Sequence, residues 1–397
     1  MKKLDKLIFS TLFFSMLATV TGVGIVVPLL PVYAHTLGAS GLYIGLIFGA
    51  FSLSRTLFVP YFGRLSDKKG RKPFIVVGLF AYSIISLAFM FSKDVNSLIF
   101  TRFIQGVASA MLMPVIQAYI GDITPEGKEG FSMGLFNMSM FFGLSLGPVI
   151  GGIINDKLSL NAAFACMGLF AFAGFLLSIF LLPPTKSEQA VYFGKAPTGW
   201  KTLLRDRVIA ELFLFRFAYT FCIGVIWGFL PVLADSEFFL SSSSIGILVM
   251  LGVFISGLIH LPMGYLADRV NKNIMIAAGG LIVVFAMFYF EWSNTSQGLF
   301  YASILFGIGG GVSMPALMGL AVLKGNRAHA MGSVMALLTL AHSAGMFTGS
   351  VLAGMMMDFS LLREAFTMGA VIMGLGVGLF FVCAYKRNEF KHIDHGN

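Results

Sequence analysis

Twelve apolar runs, each close to the length of a bilayer crossing, leave this 397-residue chain few folds to adopt. A helix rises 1.5 Å per residue, so about 20 residues cover the ~30 Å of hydrocarbon. The runs lie at about 7–33, 42–62, 74–92, 98–120, 131–154, 162–182, 207–234, 244–266, 274–292, 298–322, 331–356 and 364–385. Only 11% of residues are charged and 57% are hydrophobic, a balance that no water-soluble domain needs. Inside hydrocarbon every backbone N–H and C=O must find its partner within the segment. The expected fold class is therefore an all-α membrane protein of twelve transmembrane helices. The first run is too long for a signal peptide and is expected to be retained.

Positive charge gives the expected orientation, because cytoplasmic loops keep lysine and arginine. With the N-terminus inside, 21 of the 27 basic residues fall in cytoplasmic segments and only Lys93, Lys157 and Arg363 in outer loops. The net charge of +9 thus reports topology, and nucleic acid is not expected as a partner. Cys166, Cys222 and Cys383 all fall within runs, which points to neither disulfides nor a metal site.

The second half repeats the first at a shift near 200 residues. Leu30-Pro31-Val32 meets Leu230-Pro231-Val232, Gly63 and Asp67 meet Gly264 and Asp268, and Gly106 and Pro114 meet Gly307 and Pro315. Gly143, Gly147, Gly152 and Asp156 meet Gly345, Gly349, Gly354 and Asp358. The expected organisation is a six-helix bundle over 1–182, a polar cytoplasmic linker over 183–206, and a second bundle with a short cytoplasmic tail over 207–397. Parallel repeats of this kind place a cavity between bundles near the midplane. The copies differ at Arg102, which becomes Ser303, and at Pro148, which becomes Ser350.

The one densely polar interruption early in the chain is Gly63-Arg-Leu-Ser-Asp67-Lys-Lys-Gly70-Arg71-Lys72-Pro73. Gly63 allows close helix approach, Asp67 suits a helix end, and Gly70 permits a tight reversal. The stretch resembles the signature loop between the second and third spans of the major facilitator superfamily, G-x-L-x-D-x-x-G-R-K. That resemblance implies two six-helix bundles in the major facilitator fold, and transport by alternating access. An acid at the inner end of the fourth span pairs with the loop arginine in that family, which here selects Asp122 and Arg71. It also sets Asp67 against the start of the eleventh span.

Two further stretches resemble the twelve-span drug:proton antiporters. The first span carries Gly22-Val-Gly-Ile-Val-Val-Pro28-Leu-Leu-Pro31, whose prolines free backbone carbonyls and let the helix bend. The fifth carries Gly143-Leu-Ser-Leu-Gly147-Pro148-Val-Ile-Gly151-Gly152. It is similar to the G-x-x-x-G-P-x-x-G-G motif that marks antiporters. Glycines four apart strip side chains from one stripe, so a neighbouring helix can press on the backbone. The motif implies export rather than uptake, with protons as the coupling ion.

The chain departs from that family where charge is embedded. None of its 18 carboxylates falls in mid-span, whereas Arg55, Arg102 and Arg216 do. An embedded guanidinium costs at least ~2.5 kcal/mol, so it needs a polar partner or a cavity. Arg102-Phe-Ile-Gln105-Gly106 resembles the superfamily's R-x-x-Q-G pattern, adding Gln105. Arg55, Arg102, Gln105, Arg216, Tyr219 and His342 are the expected cavity or coupling residues, with His260 and His342 the titratable pair in the spans. Arg55 and His342 reach comparable depths, about 16 Å for the histidine, so either the two are neighbours across the bundle interface or Arg55 snorkels inward or bonds a carbonyl of its own bundle.

The expected function is export of a hydrophobic or amphipathic, drug-like molecule by a monomeric secondary transporter of the bacterial inner membrane. An alternative is a lipid or anionic metabolite translocator with weak or no proton coupling, which the missing mid-span carboxylate suits. An enzyme is not expected: neither H-E-x-x-H nor G-x-S-x-G occurs, and the histidines are scattered. No cofactor or metal is expected.

Overall fold

Each apolar run folds as a helix that continues past its hydrocarbon-length centre into polar sequence. The computed structural model of the chain describes residues 3–124, 129–183, 205–327 and 331–393. Twelve helices long and apolar enough to cross a membrane lie among them. They are α1 (Lys3–Thr36), α2 (Gly41–Lys69), α3 (Lys72–Phe91), α4 (Val95–Ile123), α5 (Glu129–Lys157) and α6 (Leu160–Leu181). Then follow α7 (Arg207–Ser236), α8 (Ser242–Arg269), α9 (Lys272–Trp292), α10 (Ser296–Arg327), α11 (Met331–Phe359) and α12 (Glu364–Ile393). No strand occurs among the described residues, so the all-α, twelve-span class read from the sequence is the class observed. Linker residues 184–204 and the side chains of Asp268 and Cys383 lie outside the described residues.

Polar residues in the short turns set the helix starts. Asp94 accepts from the Ser97 N–H at 2.9 Å, and that bond holds its carboxyl below the ordinary carboxylate range. Ser159 and Asp206 cap α6 and α7 in the same way, through the N–H groups of Ala162 and of Val208 and Ile209. Within the spans, hydroxyls bond back onto their own helix, as Thr11 does to Leu7 O and Thr56 to Ser52 O, which satisfies these donors where water is absent. Leu57, Phe91, Phe100, Phe180 and Leu261 are exposed, an arrangement that lipid, not water, accommodates.

The chain divides into two compact units, Met1–Phe193 with Pro231–Met250, and Gly194–Leu230 with Leu251–Asn397. In the first, α1 packs on α5 and α6, α2 on α4, and α3 on α4 and α6. In the second, α9 packs on α10 and α12, and α11 on α10 and α12. This division differs from a boundary in the linker because the far end of α7 and the start of α8 go with the first unit. A Cβ at Gly152 would meet Ser243 Cα at 2.8 Å, and one at Gly246 would meet Val149 Cα at 3.2 Å, so α5 and α8 touch there backbone to backbone.

The repeat seen in sequence recurs in the helix contacts. Gly106 of α4 lies against Phe51 O of α2, and Gly307 of α10 lies against Gly252 O of α8. Gly147 of α5 lies on Thr21 O of α1, as Gly345 and Gly349 of α11 lie on the carbonyls of Phe217 and Phe221 in α7. Both units use small residues to bring backbones together where bulky side chains would hold them apart.

Candidate transport site

The end of the first unit that carries the basic loop is organised by Gly70 and Arg71. Gly70 ends α2 with φ +88°, a left-handed conformation that other residues adopt only with strain, and the chain reverses there into α3. The reversal delivers Arg71 to three acceptors. Its Nη1 donates to Asp67 and to Ser66 Oγ, the latter at 2.8 Å, and its Nε donates to Asp122 Oδ2 at 3.1 Å. One guanidinium thus ties the end of α2 to the end of α4. Lys72 adds a second tie by donating to Ile179 O at 2.9 Å and Leu182 O at 2.5 Å at the end of α6. Gly63, expected to permit close helix approach, instead has open space beside its α-carbon: a Cβ there would meet nothing within 4 Å.

The fifth-span stripe is packed as its spacing predicts. A Cβ on Gly143 would lie 2.9 Å from Thr21 N, one on Gly147 2.5 Å from Thr21 O, and one on Gly151 2.7 Å from Ile25 O. All these neighbours belong to α1, and Gly24 of α1 faces Gly147 and Pro148 in return. Beyond the stripe, Asp156 accepts from the N–H groups of Ser242 at 3.0 Å and Ser243 at 2.8 Å, while Asn155 donates to Ser242 Oγ at 2.8 Å. The last turn of α5 therefore caps the start of α8 together with Ser241, whose Oγ accepts from the Ser244 N–H at 3.3 Å. The sequence flagged Asp156 only as a repeat position; its capping role needed the fold.

The embedded arginines find partners of an unusual kind. Arg102, 2% exposed, donates through Nη1 to Gln105 Oε1 at 2.7 Å and lies over the rings of Phe48 and Phe51 at 4.9 and 5.0 Å. Arg102 Nε and Gln105 Nε2 have no hydrogen-bond partner. Arg55 donates through Nη2 to Met113 Sδ at 2.8 Å. In the second unit Arg216 donates through Nη1 to Met314 Sδ, also at 2.8 Å, and its Nη2 lies 3.3 Å from His342 Nδ1. Within the first unit Arg55 thus bonds Met113, and within the second His342 stands beside Arg216. Met113 and Met314 are equivalent in the repeat, each just before the proline of its helix, so both units set a guanidinium against a thioether. Sequence reasoning missed both methionines, although the repeat register pairs them. Tyr219, one turn along α7 from Arg216, stacks on Phe306 at 5.6 Å between centroids, and His260 Nδ1 bonds Ser256 O at 2.5 Å.

Two copies of one six-helix pattern, the first with its helix ends tied by Arg71 and each carrying embedded cations, define a membrane transporter. The chain belongs to the Major Facilitator Superfamily, whose sequence profile matches residues 12–332 and 212–395. Among its relatives is an uncharacterized MFS-type transporter of Methanocaldococcus jannaschii, 31% identical over 393 residues, covering 98% of this chain and 100% of the relative. The quinolone resistance protein NorA of Staphylococcus aureus is 26% identical over 396 residues, 98% of each chain. Among solved structures, a bacterial homolog of the human lysosomal transporter Spinster superposes with TM-score 0.82 at 14% identity, over 97% of this chain and 98% of that one. The human organic anion transporter MFSD10 gives 0.67 at 20% identity, over 95% and 99%. These two likenesses speak to the fold alone.

Proposed function

We propose that the chain exports a hydrophobic or amphipathic, drug-like small molecule by alternating access in exchange for protons. It works as a monomer in a bacterial inner membrane, with the basic end and both termini cytoplasmic. The observation that carries this reading is the fifth helix: Gly143, Gly147 and Gly151 press on the backbone of α1 beside Pro148, the antiporter pattern in its packed form. The similarity to a quinolone resistance protein supports a drug-like cargo. Gly63, Asp67, Gly70, Arg71 and Asp122, with the stripe and Gly152, serve as the conformational switch. Arg55, Arg102, Gln105, Arg216, Tyr219 and His342 serve coupling or substrate recognition. The two bundles, 1–182 and 207–397, are the moving bodies.

A second reading, a translocator of lipid or anionic metabolites with weak proton coupling, is favoured by one observation. Among the described residues the ion pairs are those of Arg71 and Lys324, and none involves Arg55, Arg102 or Arg216. Cells lacking their own exporters separate the two. Under the first reading, expression of the chain lowers accumulation of amphipathic fluorophores and a protonophore restores it. Under the second, the protonophore changes nothing.

A further inference from the structure

The guanidinium of Arg216 is held in an apolar helix packing without an acid. It presents five N–H donors in a planar fork whose shape matches a carboxylate or phosphate edge. Two of those donors meet weak partners, the thioether of Met314 at 2.8 Å and the imidazole nitrogen of His342 at 3.3 Å. A thioether is a poor acceptor, and an imidazole accepts through a single lone pair. The third position, Nε, is buried and has no partner. No carboxylate stands within ion-pair distance of Arg216 among the described residues.

The surroundings hold this fork in place. Met314 sits on α10, and Tyr219, three residues beyond Arg216 on α7, lies nearly parallel to Phe306 of α10 with 9° between the rings. The Tyr219 hydroxyl covers Gly310, where Ser256 Oγ also stands. Thus α7 and α10 are locked together on either side of a charged group whose strongest bonds remain unmade. Arg102 in the first unit differs, because its Nη1 already has the amide oxygen of Gln105.

We infer that Arg216, seated between Met314 and His342, is the binding group for an oxyanion carried by an amphipathic molecule, a carboxylate in the first instance. The anion takes the Nε edge of the fork and the donors now resting on Met314 and His342. This rests on the reading that the cargo is amphipathic and specifies which polar end it has.

Binding, rather than transport, tests it, so a failure here is separate from a failure of the export reading. The purified full chain in nanodiscs of phosphatidylcholine is titrated with 11-(dansylamino)undecanoic acid and with its methyl ester, by fluorescence. The acid is expected to bind at least tenfold more tightly than the ester. Arg216→Met is expected to lower acid affinity to that of the ester while leaving the ester unchanged, and Arg216→Lys to keep part of the preference. Arg216→Gln, with a shorter polar side chain, repeats the comparison if the methionine variant does not fold. Nanodiscs containing phosphatidylglycerol identify the source of the anion: competition with the acid assigns the site to a lipid phosphate, and no competition assigns it to a free amphiphile. Equal affinity of acid and ester for the unmodified chain, or an equal loss of both in Arg216→Met, overturns the proposal.

Discussion

Arg71 and Asp122, 51 residues apart in sequence, meet at 3.1 Å and join the start of α3 to the end of α4. Asp122 is half exposed, so the pair belongs to the class of surface bridges that contribute about 1 kcal/mol or less. That magnitude suits a contact that forms and breaks in each transport cycle. Asp122→Asn is expected to shift the balance between conformations by roughly fivefold and to slow transport, with little change in melting temperature. Arg71→Ala removes the bonds to Asp67 and Ser66 as well, so its transport defect should be the larger. Uptake into everted vesicles alongside thermal melting in detergent measures both; unimpaired transport by Arg71→Ala would remove this loop from the mechanism.

The fifth helix gives a sharper expectation than its spacing did. From sequence, Gly147→Ala is expected to be partly tolerated and Gly147→Leu to be blocked by overpacking. In the structure even a methyl group lands 2.5 Å from Thr21 O and 2.7 Å from Gly24 Cα, and both are backbone atoms with no rotamer to change. Overpacking of this kind costs about 1–3 kcal/mol. Gly147→Ala is therefore expected to lower the melting temperature and impair transport, and Gly147→Leu to prevent folding. By contrast Gly63→Ala, with open space around it, should leave stability unchanged.

Asp156 caps α8 with both carboxylate oxygens, one on Ser242 N and one on Ser243 N. Loss of a cap costs about 0.5–2 kcal/mol, so Asp156→Ala should destabilise by that order and Asp156→Asn, which keeps one acceptor, by less. Detergent melting curves of the two variants rank them. Identical melting of the alanine variant and the unmodified chain would mean that solvent replaces the cap.

Arg102 and Gln105 form a buried couple whose halves depend on each other. Gln105→Leu leaves a buried guanidinium without its acceptor, at a cost of about 1–3 kcal/mol. Replacing both by leucine removes the donor together with the need for it. The double variant is thus expected to melt at or above the temperature of Gln105→Leu alone, and a double-mutant cycle reads the coupling. Additive losses would show that the bond at 2.7 Å carries no weight.

Fold and site were legible to different depths. Twelve spans were readable because hydrocarbon forces every crossing segment into one long apolar helix, and the two-copy pattern because glycines and prolines keep their spacing across the halves. The Gly143, Gly147 and Gly151 stripe was readable because local spacing fixes which side of a helix its residues share, whereas the pairing of Arg71 with Asp122 came from the resemblance of the loop to the family signature. Side chains that meet across helices were not. The depths of Arg55 and His342 could be counted along the chain, but depth does not name the Met113 thioether beside the arginine or Arg216 beside the histidine. Nor does composition distinguish a methionine facing lipid from Met314, which accepts a hydrogen bond from a cation. The partner of Asp156 depends on where α8 begins in space, which no spacing in the chain encodes.

The central claim is proton-driven export, and one measurement meets it directly. The purified chain is reconstituted into proteoliposomes with a pH dye inside, and an amphipathic fluorophore is supplied on the cytoplasmic face under an imposed gradient, acid on the opposite face. The account predicts fluorophore movement across the membrane against its own gradient, matched by a change in lumenal pH, with both abolished when the gradient is collapsed. Movement of the fluorophore at the same rate with and without the gradient, and no accompanying change in lumenal pH, would contradict it.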